Sequence, residues 1–308
     1  MKKHASILFA CVVAALATFP TVGHAQQAFK SPEEAADALI GALRSNDTRA
    51  VSRVLGRAGN EIVSSGDEVQ DENTRKLVLA AYDIKHSIVK NKTGEAFLSV
   101  GESEYPIPLP IVEKAGSWTF DTVAGREEIL YRRIGRNELA AIQVCLAYVD
   151  AQNEYAAIAA GGDRGTYAQR FLSSPGKKDG LYWPAAAGEH QSPLGEGFAL
   201  ATLQGYRTGD RPAPYHGYYY KILTRQGATA PGGAMNYVAK GRMFGGFALV
   251  AYPAEYGNSG VKTFMVNHDG EVFEKDLGPR TEQIAVRMSE FGPDRTWTKV
   301  AAEALAKR

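Results

Sequence analysis

One long amphipathic segment limits what this chain can fold into. Residues 126–160 read as a single helix, with Gly135 as the place where it would bend. Ile142, Cys145, Leu146 and Val149 fall on one face at helical spacing, and Tyr155 extends the stripe. A helix that is apolar along one stripe must bury it against another element. The chain supplies a sheet for this further on. Residues 218–224, 247–252, 262–267 and 271–275 read as four strands, the last two joined across His268-Asp269-Gly270, where Asp-Gly favours a tight turn. Residues 281–290 and 296–307 read as closing helices. The intervening 161–214 is rich in Gly, Pro and Ala and reads as ordered loop with short helices, one over 167–172. Tyr182 and Trp183 there mark a packed segment, since disordered linkers are poor in such rings.

The first hundred residues after the leader are organised differently. Ser31-Pro32-Glu33-Glu34 is a helix start, with Ser31 as N-cap, Pro32 in the first turn and Glu34 closing a capping box. Ala35, Leu39, Ala42 and Leu43 then share one face. A second helix starts near Asn46 and uses Val51, Val54 and Leu55, and a third spans 73–84. Strands follow at 87–90, 95–100, 107–113 and 118–121, with turns at 91–94 and 114–116. The expected fold class is α+β: N-terminal helices packed on a small curved antiparallel sheet, then the long helix packed on a C-terminal antiparallel sheet. The expected divisions are 1–25, 26–125 and 126–308.

Residues 1–25 have the parts of a secretory signal peptide. Lys2, Lys3 and His4 form a basic head, residues 7–18 an apolar run too short to span a bilayer comfortably, and Gly23-His24-Ala25 the small-residue cleavage site. The expected location is therefore a bacterial periplasm, with cleavage after Ala25 and no transmembrane segment afterwards. Cleavage would remove Cys11 and leave Cys145 without an internal partner, so the core and not a disulfide must hold the fold. Cys145 lies in the apolar stripe and is expected to be buried. Acids and bases nearly balance, at 34 Asp and Glu against 35 Lys and Arg. That composition lacks the basic excess of a nucleic-acid binder.

Several blocks carry a family resemblance. They are Gly180-Leu181-Tyr182-Trp183, Tyr215-His216-Gly217-Tyr218-Tyr219-Tyr220, the run from Gly245 to Val261, and Asn267-His268-Asp269-Gly270. Together they resemble the bacterial domain-of-unknown-function 2950 family over nearly all of the chain after the leader. That resemblance implies no activity. Two weaker ones concern fold alone. The N-terminal helices followed by a meander ending in Gly-Ser-Trp-Thr-Phe-Asp are similar to the cone-shaped domains of the nuclear-transport-factor-like superfamily. The long helix followed by a Gly-Tyr-Tyr-Tyr strand, a strand ending Ala251-Tyr252-Pro253 and an Asp-Gly turn resembles the globular head of type IV pilins and pseudopilins. The departure from pilins is that this helix is internal and charged at Arg126, Glu127, Arg132 and Arg133.

Chemistry-bearing residues are few. His216 and His268 share the sheet half with Glu255, Asp269 and Asp276, but none shows metal-ligand spacing, and neither a metal nor another cofactor is expected. His86 and Asp83 are the candidates in the N-terminal part, where His86 reads as a helix-end residue. Ser259 in Gly257-Asn258-Ser259-Gly260 lies between strands, unlike the strand-to-helix turn of a nucleophilic serine. Glu154, Glu189, Glu196 and Glu255 are the carboxylates from which a glycosidase pair would be drawn. Glu255 stands out, between Tyr252 and Tyr256 at a strand end. Tyr182, Trp183, Tyr206, Tyr215, Tyr218, Tyr219, Tyr220, Tyr252 and Tyr256 are dense for one domain, and rings with polar edges suit carbohydrate or peptide recognition. The candidate ligand-binding set is accordingly Tyr182, Trp183, Tyr215, His216, Tyr218, Tyr252, Glu255 and Tyr256. The expected function is non-catalytic binding of an envelope protein or polymer. The alternative is a hydrolase of envelope glycan or peptide, with Glu255 or His216 as acid or base.

Overall fold

The computed structural model describes residues 26–158, 164–186, 188–195 and 213–301. Residues 1–25, Glu196, Tyr206 and residues 302–307 lie outside the described residues.

The N-terminal part opens with α1 (Pro32–Ser45), where the Ser31 side chain accepts from the Glu34 N–H at 3.2 Å. Glu34 reaches back to the Lys30 N–H, one residue before the cap. Helices α2 (Thr48–Leu55), α3 (Gly59–Val63) and α4 (Glu68–Ile84) follow. Helix α4 begins at Glu68 and not at 73, because Asp67 caps it by accepting from the Gln70 N–H at 3.0 Å. The added first turn is polar and leaves no apolar periodicity to detect. Strands β1 (His86–Lys90), β2 (Ala96–Val100), β3 (Tyr105–Pro106), β4 (Ile111–Lys114) and β5 (Ser117–Phe120) form an antiparallel sheet in the order β1-β2-β4-β5, with β3 also on β2. The strand expected over 107–113 is broken, since Pro108 and Pro110 offer no N–H to a ladder. Ala35, Leu39, Val54, Leu98, Ile111 and Phe120 pack between helices and sheet.

Helix α5 (Thr122–Ala157) runs unbroken for 36 residues, through Gly135. At 1.5 Å per residue that is roughly 54 Å, long enough to serve two cores. Its first turns adjoin the N-terminal core, where Phe120 and Ile129 lie. Its second half presents Ala141, Ile142, Cys145, Tyr148, Val149 and Tyr155 to the C-terminal core.

That core is built on β6 (Tyr218–Leu223), β11 (Ala248–Pro253), β12 (Lys262–Asn267), β13 (Val272–Asp276) and β14 (Thr298–Lys299), in the antiparallel order β14-β13-β12-β11-β6. Short pairs β7 (Arg225–Gln226) with β8 (Met235–Asn236), and β9 (Val238–Ala239) with β10 (Arg242–Met243), fill the β6–β11 connection. The strand β11 is buried along its whole length, because α5 packs against the sheet and the short helix α6 (Thr281–Arg287) also covers β11. Alternation decides the three successive tyrosines of β6. Tyr218 and Tyr220 share the face near Cys145, while Tyr219 meets Tyr252 across the strand pair, with ring centroids 5.6 Å apart. The chain is thus an α+β protein, with helices packed on antiparallel sheets.

Two expected helices are not seen among the described residues. Residues 164–186 form an irregular strap where a helix over 167–172 was expected. Its backbone groups are taken elsewhere: the Tyr167 N–H donates to the Met243 carbonyl at 2.7 Å, and the Gln152 side chain accepts from the Ala168 N–H and donates to its carbonyl, both at 2.8 Å. One buried amide thus stands in for a neighbouring strand. At the other end, the described part of the expected 296–307 helix contains β14 instead, with Phe273 paired to Lys299 and Glu274 to Thr298.

Cys145 is fully buried, and burial pushes its thiol up to about 12. The thiolate is the reactive form. At pH 8 the folded protein should therefore not react with Ellman's reagent and should react fully in guanidinium chloride. Prompt labelling without denaturant would contradict this packing.

Candidate functional site

The apolar stripe of α5 continues toward the N-terminus at four-residue spacing through Asn137 and Arg133. Both are polar, yet only 1% and 6% exposed. They occupy the junction where the segment 61–71, the loop 254–261 and the start of β6 meet. The Arg133 Nη1 donates to the carbonyls of Glu61 (2.8 Å) and Ser64 (3.2 Å) and to Asn258 Oδ1 (2.6 Å), and its Nη2 donates to the Ile62 carbonyl. Asn137 donates to the Ser259 carbonyl and accepts from Gln70, both at 2.8 Å. At the next residue, Glu138 Oε1 accepts from the N–H groups of Val261 (3.0 Å) and Lys262 (2.9 Å), at the start of β12.

Burial lowers the Arg133 guanidinium from its ordinary value, and the nearby Asp71 and Glu255 carboxylates oppose the shift. Burial also raises the Asp71 carboxyl, although it accepts from the Ser65 N–H. Asp67 is the second anchor, only 2% exposed. Besides capping α4, it accepts from the Gly217 N–H at 2.8 Å. Gly217 has φ +73°, and a Cβ there would lie 2.5 Å from Asn137 Nδ2, so this position needs glycine twice over. Gly66, at φ +83°, likewise leaves room for the Glu255 carboxylate.

These contacts bring four of the candidate residues to one loop cluster. His216 precedes Gly217 with φ +51°, is exposed, and packs edge-on against Tyr215 at 4.2 Å. The Gly217 carbonyl accepts from the Ala254 N–H at 2.9 Å, which joins this turn to the loop carrying Glu255 and Tyr256. That loop closes on itself, with the Glu255 N–H donating to Ser259 Oγ at 2.9 Å. The Glu255 carboxylate is exposed and accepts from Asn258 Nδ2 at 2.6 Å, and Tyr256 donates to Asp276 at 3.3 Å. Tyr215 also lines an apolar cavity of about 200 Å³ with Val144, Tyr148, Phe171 and Leu249.

The other four candidates sit in packed surroundings. Tyr218 is fully buried and donates to the Lys262 carbonyl at 2.9 Å. Tyr252 is 9% exposed, on the face of Tyr219. Trp183 is 3% exposed in the C-terminal core, with the Lys178 ammonium 5.4 Å from its ring. Tyr182 is half-buried in the strap, its N–H bonded to the Phe171 carbonyl. His268 lies at the far end of β12, against Tyr237 and Phe247. Among the described residues, no group of three or more His, Cys, Asp or Glu side chains is placed to hold a metal ion, and no helix is long and apolar enough to cross a membrane.

Sequence reasoning missed Asp67, Asn137 and Glu138 as anchors, and noted Arg133 only as one of the charges on the long helix. One signal for two of them was available. Asn137 and Arg133 stand four and eight residues before Ala141, in phase with the apolar stripe, and a polar residue in that phase is buried.

A model of the family described as a protein of unknown function (DUF2950) matches residues 26–300, and the chain belongs to that family. No curated protein and no solved structure matches it.

Two outcomes test the junction. Asp67→Ala removes a cap and orphans a buried backbone N–H, and should cost about 2–4 kcal/mol in denaturant unfolding. Asp47→Ala, a cap without a buried backbone partner in a second segment, should cost less; equal losses would contradict the double role of Asp67. The second concerns pH. Although His216 is exposed overall, partial desolvation of its ring lowers the imidazole from its ordinary 6.5, with the Asp67 carboxylate opposing. A lowered folded value means the unfolded chain takes up the proton first, so stability is complete above 6.5 and falls as pH drops from there to the folded value. Wild type should therefore lose more stability than His216→Asn between pH 7.5 and pH 5.5, and parallel losses would contradict it.

Proposed function

We propose that this chain acts outside the cytoplasm, as a non-catalytic binding protein that holds a glycan polymer of the cell envelope at the His216, Glu255 and Tyr256 loop cluster. The observation that carries the reading is the division of labour at the junction. Its buried polar groups are spent on fixing loops, while an imidazole, a carboxylate and a phenol remain exposed on the loops so fixed. Exposed groups held in place lose little conformational freedom on binding, which is what makes a polar recognition surface effective. Rings with hydrogen-bonding edges suit sugar faces and hydroxyls. Tyr215 supports His216 directly, with ring centroids 4.2 Å apart. The Glu255 carboxylate is engaged by Asn258, and no hydrogen bond joins it to a histidine among the described residues, which favours binding over acid–base chemistry. The leader-like residues 1–25 support export.

Co-sedimentation with purified peptidoglycan sacculi tests this. The chain from Gln26 onward should pellet with sacculi, and His216→Asn/Tyr256→Ala should bind about tenfold more weakly, the effect of losing about 1.4 kcal/mol, with its melting temperature unchanged. Wild type remaining in the supernatant, or a variant that pellets equally, would overturn the proposal.

A further inference from the structure

Away from that site, the outer face of α2 and the start of α3 enclose a cleft of about 370 Å³ lined by Thr48, Arg49, Ser52, Arg53, Arg57 and Asn60. The helix places them there by phase. Val51, Val54 and Leu55 are buried, so Thr48, Arg49, Ser52 and Arg53 turn outward. Gly56, at φ +75°, ends the helix and brings Arg57 to the same cleft.

Hydrogen-bond donors dominate this lining. Each guanidinium has five N–H groups and no acceptor. Ser52 donates to Asn60 Oδ1 at 2.8 Å, which occupies the amide oxygen and leaves the amide N–H groups unspent among the described contacts. The nearby carboxylates are already committed. Asp47 accepts from the Arg49 N–H as the cap of α2 and stands 3.9 Å from Arg53, and Glu61 pairs with Arg126. Among the described residues neither Arg49 nor Arg57 has an ion-pair partner. Because Asp47 fills the N-terminus of α2, the attraction for an anion comes from the side chains and not from the helix end.

We propose that this cleft binds a phosphate group, carried either by a soluble phosphorylated compound or by a phospholipid headgroup. Three guanidiniums against the single carboxylate of Asp47 leave an excess that a phosphate monoester, with roughly two negative charges at neutral pH, balances. A lone carboxylate ligand would leave the cleft cationic. Guanidinium forks also match phosphate oxygens in bidentate geometry, which an ammonium does not.

The test uses the chain from Gln26 onward and Arg49→Gln/Arg57→Gln, two exposed positions without partners to lose. Inorganic phosphate at constant ionic strength should raise the melting temperature of wild type, by mass action on the folded state. The variant should melt at the same temperature without phosphate and show about tenfold weaker binding. Co-sedimentation with vesicles containing phosphatidic acid, whose headgroup is a phosphate monoester, against phosphatidylcholine vesicles, separates the two sources. Variant-sensitive pelleting with phosphatidic acid identifies a headgroup, and a variant-sensitive phosphate shift without pelleting identifies a soluble compound. If wild type responds to neither probe, or the variant responds as wild type does, the cleft is not a phosphate site.

Discussion

Arg133 lies about a third of the way along a helix whose ends belong to different cores, and its buried charge must be satisfied where segments from both halves of the chain meet. Burying a guanidinium costs several kcal/mol unless its donors find acceptors. Here those acceptors are three backbone carbonyls from 61–64 and the side chain of Asn258. Because these come from opposite halves of the sequence, the same charge that is costly to bury aligns the N-terminal helices with the loop following β11. Asn137 and Asp67 repeat the pattern on either side, each joining the 65–71 segment to the sheet half. Directional polar contacts of this kind fix register more narrowly than apolar packing does.

The elements legible in the sequence were those with an unbroken period. The α5 stripe, the β6, β11, β12 and β13 strands and the capped start of α1 all follow from spacing and turn chemistry. What was not legible follows from side chains that take over backbone work. The start of the strap, at Tyr167 and Ala168, is held by the Met243 carbonyl and the Gln152 side chain, both distant in sequence, and helix α4 gains a first turn from the Asp67 cap. Neither leaves a local trace. Likewise, the candidate residues were chosen by type, and type alone does not tell that Tyr218 and Trp183 are core while His216, Glu255 and Tyr256 emerge together.

Family membership places the chain without assigning it an activity, and the likenesses to nuclear-transport-factor-like cones and pilin heads rest on element order alone. The physical description is more informative. A hydrogen-bonded junction displays one mixed polar and aromatic loop cluster, and a separate helix face in the N-terminal part gathers Arg49, Arg53 and Arg57. The two surfaces differ in charge and chemistry, so the proposed glycan and phosphate sites are separate from one another.

Differential scanning calorimetry of the chain from Gln26 onward, with and without Arg133→Met, addresses the central claim most directly. If the buried guanidinium couples the two cores, wild type unfolds in one cooperative transition and the variant in two, the earlier one well below the wild-type midpoint. Two independent transitions in wild type, or a single unshifted transition in the variant, would contradict the account.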